Sequence, residues 1–310
     1  MSNYNLISCD DHLDLGQLPA DLWTARLPAS QQDRAPHIEE RGGQALWISD
    51  GKVWGRWQGR IRPEGAAIAP SPVISALERA GVDNEGQRRP GVARLRLEDM
   101  DRDGVYAHVM FGPVTSINVE EPQFRDELHR VYNDWLKDFC APAPDRLLGV
   151  PMLPEDPEAA TKAFIAQFLD PFVDLFAWGI LERHPKIRIV MAEAGLGWLP
   201  WVVQELDYRH WRLWETKAFW ADKGGIALKE KPSDLFKRQV YVTFQEDHVA
   251  MQLLDFYGAG NVLWASDYPH PDSVWPNSHA AIERQMGHLT PEVRKRLTHD
   301  NAAALYGLKT

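Results

Sequence analysis

Apolar runs of four to seven residues alternate along this chain with longer segments whose apolar positions recur at helical spacing, the pattern of a parallel α/β fold. Leu6-Ile7-Ser8-Cys9 reads as a first strand that runs straight into Asp10-Asp11-His12. Further strands are expected over 105–111, 147–153, 187–192, 239–244 and 261–266. Helices are expected over 94–103, 123–140, 156–169, 172–182 and 199–219, and the ending from Ser278 through Pro291 to Tyr306 is helical. The chemistry of such folds sits at the C-terminal ends of parallel strands, so the expected architecture is a TIM-like (β/α) barrel. Six barrel strands can be recognised, those beginning at Leu6, Val105, Leu147, Ile187, Gln239 and Asn261, whereas a closed barrel of the usual kind takes eight. The shortfall corresponds to two βα units.

Residues 34–96 depart from the alternation. Ala45-Leu46-Trp47-Ile48 and Lys52-Val53-Trp54-Gly55 form a β-hairpin around Asp50-Gly51, a pair suited to a tight primed turn. Stretches 63–72 and 83–90 read as loop. The region lacks the apolar residues for a core of its own, so it is an excursion over the barrel mouth, part lid and part oligomer contact, within a single domain covering 1–310.

Composition narrows the function classes. A formal net charge of -10 argues against nucleic acid or an anionic membrane as the main partner, since both select basic surfaces. The opening Met1-Ser2-Asn3-Tyr4 has no basic region followed by an apolar core, and the apolar stretch over 171–181 is too short to span a bilayer. Two cysteines, Cys9 and Cys140, fit a reducing cytosol. Of the thirteen tryptophans, Trp211 and Trp214 share a helix face, with Trp220 following; this is the wall of a substrate pocket or, more in keeping with aromatic usage, a core or subunit-interface face.

Candidate chemistry lies at the strand ends. Trp264-Ala265-Ser266-Asp267-Tyr268-Pro269-His270 sets Asp267 where the last apolar run stops. Residues two apart on a strand share a face, so Asp10 and His12 can point at one ion while Asp11 points away. Their oxygen and nitrogen donors suit Zn, or Mn, as a divalent ion held by Asp10, His12 and Asp267. Glu193 follows the strand face of Ile189 and Met191 and can reach the barrel mouth; a helix-facing salt bridge is the alternative. His270 and Asp272 follow the last strand as groups that orient Asp267 or cap the loop, and Glu246 and His248 follow the strand before it. His108 reads as a core histidine, and Asn133 and Asp134 as structural polar contacts.

These residues resemble the amidohydrolase-related family that includes aminocarboxymuconate-semialdehyde decarboxylase and the resorcylate-type decarboxylases. The carrying motifs are Asp10-x-His12, Tyr132-Asn133-Asp134-Trp135, Arg146-Leu147-Leu148-Gly149-Val150, the run from Glu182 to Val190, Glu193-Ala194-Gly195-x-Gly197-Trp198-Leu199-Pro200, Ser266-Asp267-Tyr268-Pro269-His270 and Asn301-Ala302-Ala303-Ala304-Leu305-Tyr306-Gly307. The resemblance implies metal-assisted, non-oxidative decarboxylation of a small aromatic or unsaturated carboxylic acid; with the insertion as oligomer contact, a homodimer is expected. Asp267 and Glu193 would be catalytic, and His270, Glu246, His248 and Trp198 would lie around the ion or the substrate. A hydrolase using an activated water shares nearly all of these residues, and a shortened, catalytically silent relative is the reading from another class. Two departures stand out. The family's metal-binding histidine on the fifth strand has no counterpart, and Glu193 stands where the decarboxylases carry a catalytic histidine on the sixth.

Overall fold

A computed structural model describes residues 4–57, 80–81, 88–113, 117, 119–152, 169–216 and 228–309. The chain divides into two compact units, one made of residues 1–160 with 266–279 and the other of 161–265 with 280–310.

The first unit is built on a parallel sheet of β1 (Leu6–His12), β5 (Val105–Phe111) and β6 (Leu147–Gly149), in the order β1-β5-β6. All seven residues of β1 are buried, as expected of a parallel strand covered on both faces. A second, antiparallel sheet holds β2 (His37–Arg41), β3 (Gln44–Ser49) and β4 (Lys52–Arg56). The predicted hairpin is β3–β4. Its turn residues Asp50 and Gly51 have φ of 48° and 73°, the two positive values of a primed turn, and Ser49 pairs with Lys52. The hairpin delivers Trp47 into the unit's core, where the indole Nε1 donates to Leu15 O at 2.7 Å and the ring meets Trp23 edge-on. The predicted loops over 63–72 and most of 83–90 lie outside the described residues.

Helix α1 (Ala93–Asp103) ends at Gly104, whose φ of 72° is the left-handed cap that releases the chain into β5. Helix α2 (Pro122–Cys140) buries Phe124, Leu128, Val131, Tyr132, Trp135, Leu136 and Phe139 along one stripe, the helical period that predicted it. Within it Asn133 exchanges two hydrogen bonds with the Met152 backbone, and Asp134 pairs with Arg130. Residues 153–168, which hold most of the helix expected over 156–169, lie outside the described residues.

The second unit is organised on a parallel sheet of β7 (Ile189–Met191), β8 (Val240–Phe244) and β9 (Val262–Trp264), in that order. Its helices include α3 (Leu169–Ala177), α4 (Leu199–Thr216) and α5 (Pro232–Gln239). All six strands expected of the sequence are present, each starting within two residues of its predicted start, in two open three-stranded sheets. Among the described residues of α4, Trp211 is 56% exposed, with Trp201 and Tyr208 similarly open, and Arg212 lies over the Tyr208 and Trp211 rings. The side chain of Trp214, and all of Trp220, lie outside the described residues. Among the described residues no helix is long and apolar enough to cross a membrane.

Candidate metal centre

The strand period places Asp10 and His12 on one face of β1 and Asp11 on the other. His12 Nε2 lies 3.6 Å from Asp10 Oδ1 and 2.9 Å from Asp267 Oδ1, with the side chains of Asp10 and Asp267 only 1% exposed. His270 joins them: its Nδ1 is 3.1 Å from Asp267 Oδ1, its Nε2 is 3.0 Å from Asp14 Oδ2, and its ring stacks on His12 at 3.7 Å between centroids. Burial alone would push the Asp267 carboxyl up, but hydrogen bonds from His12 and His270, reinforced by their charge, outweigh it and hold the group below the usual carboxylate range. One atom each from His12, Asp267 and His270 lies within 4.8 Å of the others, a donor set of imidazole nitrogens and carboxylate oxygen that fits a divalent ion.

Asp267 sits at φ 59°, a left-handed backbone that costs a non-glycine residue on the order of 1 kcal/mol and persists only where its surroundings impose it. Asp11, facing away from the ion site as its position predicts, supplies that constraint. Its Oδ1 accepts the Ser266 hydroxyl at 2.8 Å and the Tyr268 N–H at 3.0 Å, so the residues on either side of Asp267 are held by one carboxylate. Ser8 accepts the Ser266 N–H at 2.7 Å, and the His12 N–H donates to Tyr268 O at 2.8 Å. Burial pushes Asp11 up to about 6, against the opposing pull of the Arg96 charge and of hydrogen bonds from Ser266, Ser8 and Tyr268.

Arg96 locks the same joint from α1. Its fully buried guanidinium donates to His12 O at 2.8 Å, Tyr268 O at 3.1 Å, Pro90 O at 3.3 Å and His108 Nδ1 at 3.4 Å. His108 is buried as expected, with its pKa pushed well down by burial and by the charges of Arg96 and Arg146. The Tyr268 hydroxyl donates to Asp99 at 2.6 Å, and Asp99 also receives Arg89 at 2.9 Å. Sequence reading missed Asp14, Arg96 and Asp99. A signal was present for two of them: Arg96, Asp99 and Asp103 recur at i, i+3 and i+7 on the buried face of α1, where apolar residues belong.

The remaining candidates lie in the second unit. Glu193 follows β7 with a left-handed φ of 52°, and its N–H donates to Thr243 Oγ1 at 2.9 Å. Trp198 turns its indole back onto Ala194 O and meets Phe172 edge-on. Glu246 is exposed and paired with Arg284, and His248 is an exposed first residue of a short helix. Asp247 between them, overlooked in the sequence, organises the segment after Glu193: one oxygen accepts the N–H groups of Leu196 and Gly197 at 2.8 and 2.7 Å, and the other caps that helix at Ala250. In the first unit Asp272 is exposed, and its carboxyl is raised by partial burial and by the neighbouring Asp267.

Residues 163–308 match the amidohydrolase family model. This match contains Glu193, Asp267 and His270 but not Asp10 and His12. The amidohydrolase resemblance drawn from the motifs is therefore borne out. A gamma-resorcylate decarboxylase of Rhodococcus jostii (strain RHA1) is 25% identical over 152 residues, 48% of this chain, and the alignment spans 42% of that relative's length. Among solved structures, an amidohydrolase from Mycobacterium avium subsp. paratuberculosis K-10 superposes with a TM-score of 0.67 at 14% identity, covering 98% of this chain and 99% of that one. A 5-carboxyvanillate decarboxylase from Novosphingobium aromaticivorans DSM 12444, complexed with manganese and 4-hydroxy-3-methoxy-5-nitrobenzoic acid, gives 0.61 at 17% identity over 99% and 97% of the two chains. The α/β fold is shared with these amidohydrolase structures.

Proposed function

We propose that the chain is a metal-dependent carboxy-lyase that removes the carboxyl group of a small aromatic or unsaturated carboxylic acid without oxidation. The observation that carries this reading is the position of His12 Nε2, 2.9 Å from Asp267 Oδ1 and 3.6 Å from Asp10 Oδ1, an imidazole between two buried carboxylates from opposite ends of the chain. The amidohydrolase match and the decarboxylase relative favour the reaction class. The ligands are Asp10, His12 and Asp267, and the donor set, free of thiolate, suits Zn first; the manganese-bound neighbour makes Mn the second choice. A divalent ion bound there supplies positive charge next to the substrate's oxygens.

The chain's own residues have separate tasks. Asp267 stays ionised, because His12 and His270 stabilise its charge, and so serves as ligand and base. Cleavage of the C–C bond leaves the electron pair on the substrate carbon as carbon dioxide departs, and that carbon then takes one proton. We assign the proton donor to Glu193, the residue at the family's histidine position. His270 and Asp272 support Asp267, and Trp198, Glu246 and His248 are assigned to the surroundings of the substrate. Cys9 and Cys140 are free thiols, in keeping with a reducing cytosol, and the assembly assigned to the chain is a homodimer.

The test is metal content by mass spectrometry on protein purified without chelators or added metal, followed by carbon dioxide release from a panel of hydroxylated benzoic acids. About one Zn or Mn per chain, lost in Asp267→Ala, is expected for a single mononuclear site. Glu193→Gln should keep the metal and lose turnover. Metal-free wild-type protein that cannot be loaded with either ion would refute the reading.

A further inference from the structure

His270 stands at the ion site itself. Its Nε2 is 3.0 Å from Asp14 Oδ2, and a carboxylate can only accept, so Nε2 carries the proton. Nδ1 faces Asp267 Oδ1 from 3.1 Å, the position from which it donates a proton to that carboxylate when no ion is bound and offers its lone pair to an ion when one is. His12 Nε2 approaches the same oxygen from 2.9 Å, and the two imidazoles stack at 3.7 Å with 16° between their planes. Electron-rich atoms gathered at this spacing call for a cation among them. Donors about 2.1 Å from one ion at right angles lie about 3.0 Å apart, close to the 2.9 and 3.1 Å that separate Asp267 Oδ1 from the two imidazole nitrogens.

Asp14 is itself held. Its N–H donates to Gln17 Oε1 at 2.9 Å, the Gln17 N–H returns to Asp14 O at 2.9 Å, and the preceding Leu13 N–H donates to Phe111 O at 2.9 Å. The turn after β1 therefore presents Asp14 to a histidine 256 residues away. Carboxylates that accept the outer N–H of a ligating imidazole fix its tautomer and raise its basicity.

We infer that His270 is a metal ligand through Nδ1, supplying the imidazole that the family takes from its fifth strand, and that Asp14 is the positioning residue that sets its tautomer. This rests on the metal-site reading above and extends it from three ligands to four.

The experiment measures affinity for Zn²⁺ and Co²⁺ by competition with a chromophoric chelator, in wild type, Asp14→Ala, His270→Ala and Asp267→Ala, each checked for an unchanged fold by circular dichroism. Asp14→Ala should weaken binding about 10- to 100-fold, the usual cost of losing such an outer carboxylate. His270→Ala should weaken it more, and the Co²⁺ ligand-field bands should shift as one nitrogen donor is lost. Wild-type affinity and an unchanged Co²⁺ spectrum in both Asp14→Ala and His270→Ala, with binding lost in Asp267→Ala, would overturn the inference and leave the three-ligand site standing. Wild-type protein that binds neither ion would overturn both.

Discussion

Arg96 closes the joint between the end of β1 and the Asp267 loop, and replacing it tests whether a buried charge holds the site together. Three carbonyl oxygens, those of His12, Tyr268 and Pro90, accept from its guanidinium within 3.3 Å. Its charge also opposes the burial that pushes Asp11 up to about 6. Hydrogen bonds to a charged group contribute roughly 1.5–3 kcal/mol each, but their sum overstates the loss, because desolvating the guanidinium offsets part of it. Removing one member of a buried charge arrangement costs about 3–5 kcal/mol, largely because the partner is left uncompensated. Arg96→Met keeps the aliphatic stem and deletes the charge, so about 3–5 kcal/mol should be lost at pH 7 in urea unfolding followed by circular dichroism. The uncompensated partner is Asp11. Arg96→Met with Asp11→Asn should therefore be less damaging than the sum of the single changes, by about 1–3 kcal/mol. Because the carbonyls released belong to His12 and to the neighbour of Asp267, Zn²⁺ affinity should fall in Arg96→Met as well. An Arg96→Met protein within about 1 kcal/mol of wild type, or a double variant additive within about 0.5 kcal/mol, would refute the clamp.

Two further perturbations probe the supports around it. Asp103, which accepts the Ser278 N–H and hydroxyl, is pushed up to about 6 by burial, the Ser278 hydrogen bonds opposing. A carboxyl raised in the fold favours folding when protonated, so its contribution is complete below its unfolded pKa and is lost as pH rises through about 6. Asp103→Asn removes the charge, keeps an acceptor for the Ser278 N–H and meets the Ser278 hydroxyl by donating to it; relative to it, wild type should lose about 2–3 kcal/mol of stability between pH 4 and pH 7.5, and parallel pH profiles would sink the assignment. Tyr268→Phe removes the hydroxyl that donates to Asp99 at 2.6 Å in a buried setting, and should cost roughly 1.5–3 kcal/mol in chemical unfolding; a change under about 0.5 kcal/mol would show that the contact carries no stability.

The periodicities of the chain determined its elements and one face of its site. Period-two placement on β1 is a local property, so it put Asp10 and His12 together and turned Asp11 away before any tertiary contact was known. The Asp50-Gly51 turn and the buried stripe of α2 are local in the same sense. Strand β2 went unrecognised because His-Ile-Glu-Glu-Arg is polar in its own right and becomes a strand only by pairing with β3. On α4 the helical period showed which aromatic residues share a face, but not whether anything covers them, and Trp211 proved exposed. Residues 163–308 carry enough family pattern to be matched as amidohydrolase, while Asp10 and His12 lie far outside that stretch. Only the tertiary structure decided that Asp14 meets His270, that Asp11 grips both neighbours of Asp267, and that Arg96 seals the joint. These contacts join residues 84 to 257 positions apart. A hydrogen bond is specified by where two atoms end up, and no periodicity along the chain encodes that distance across a fold.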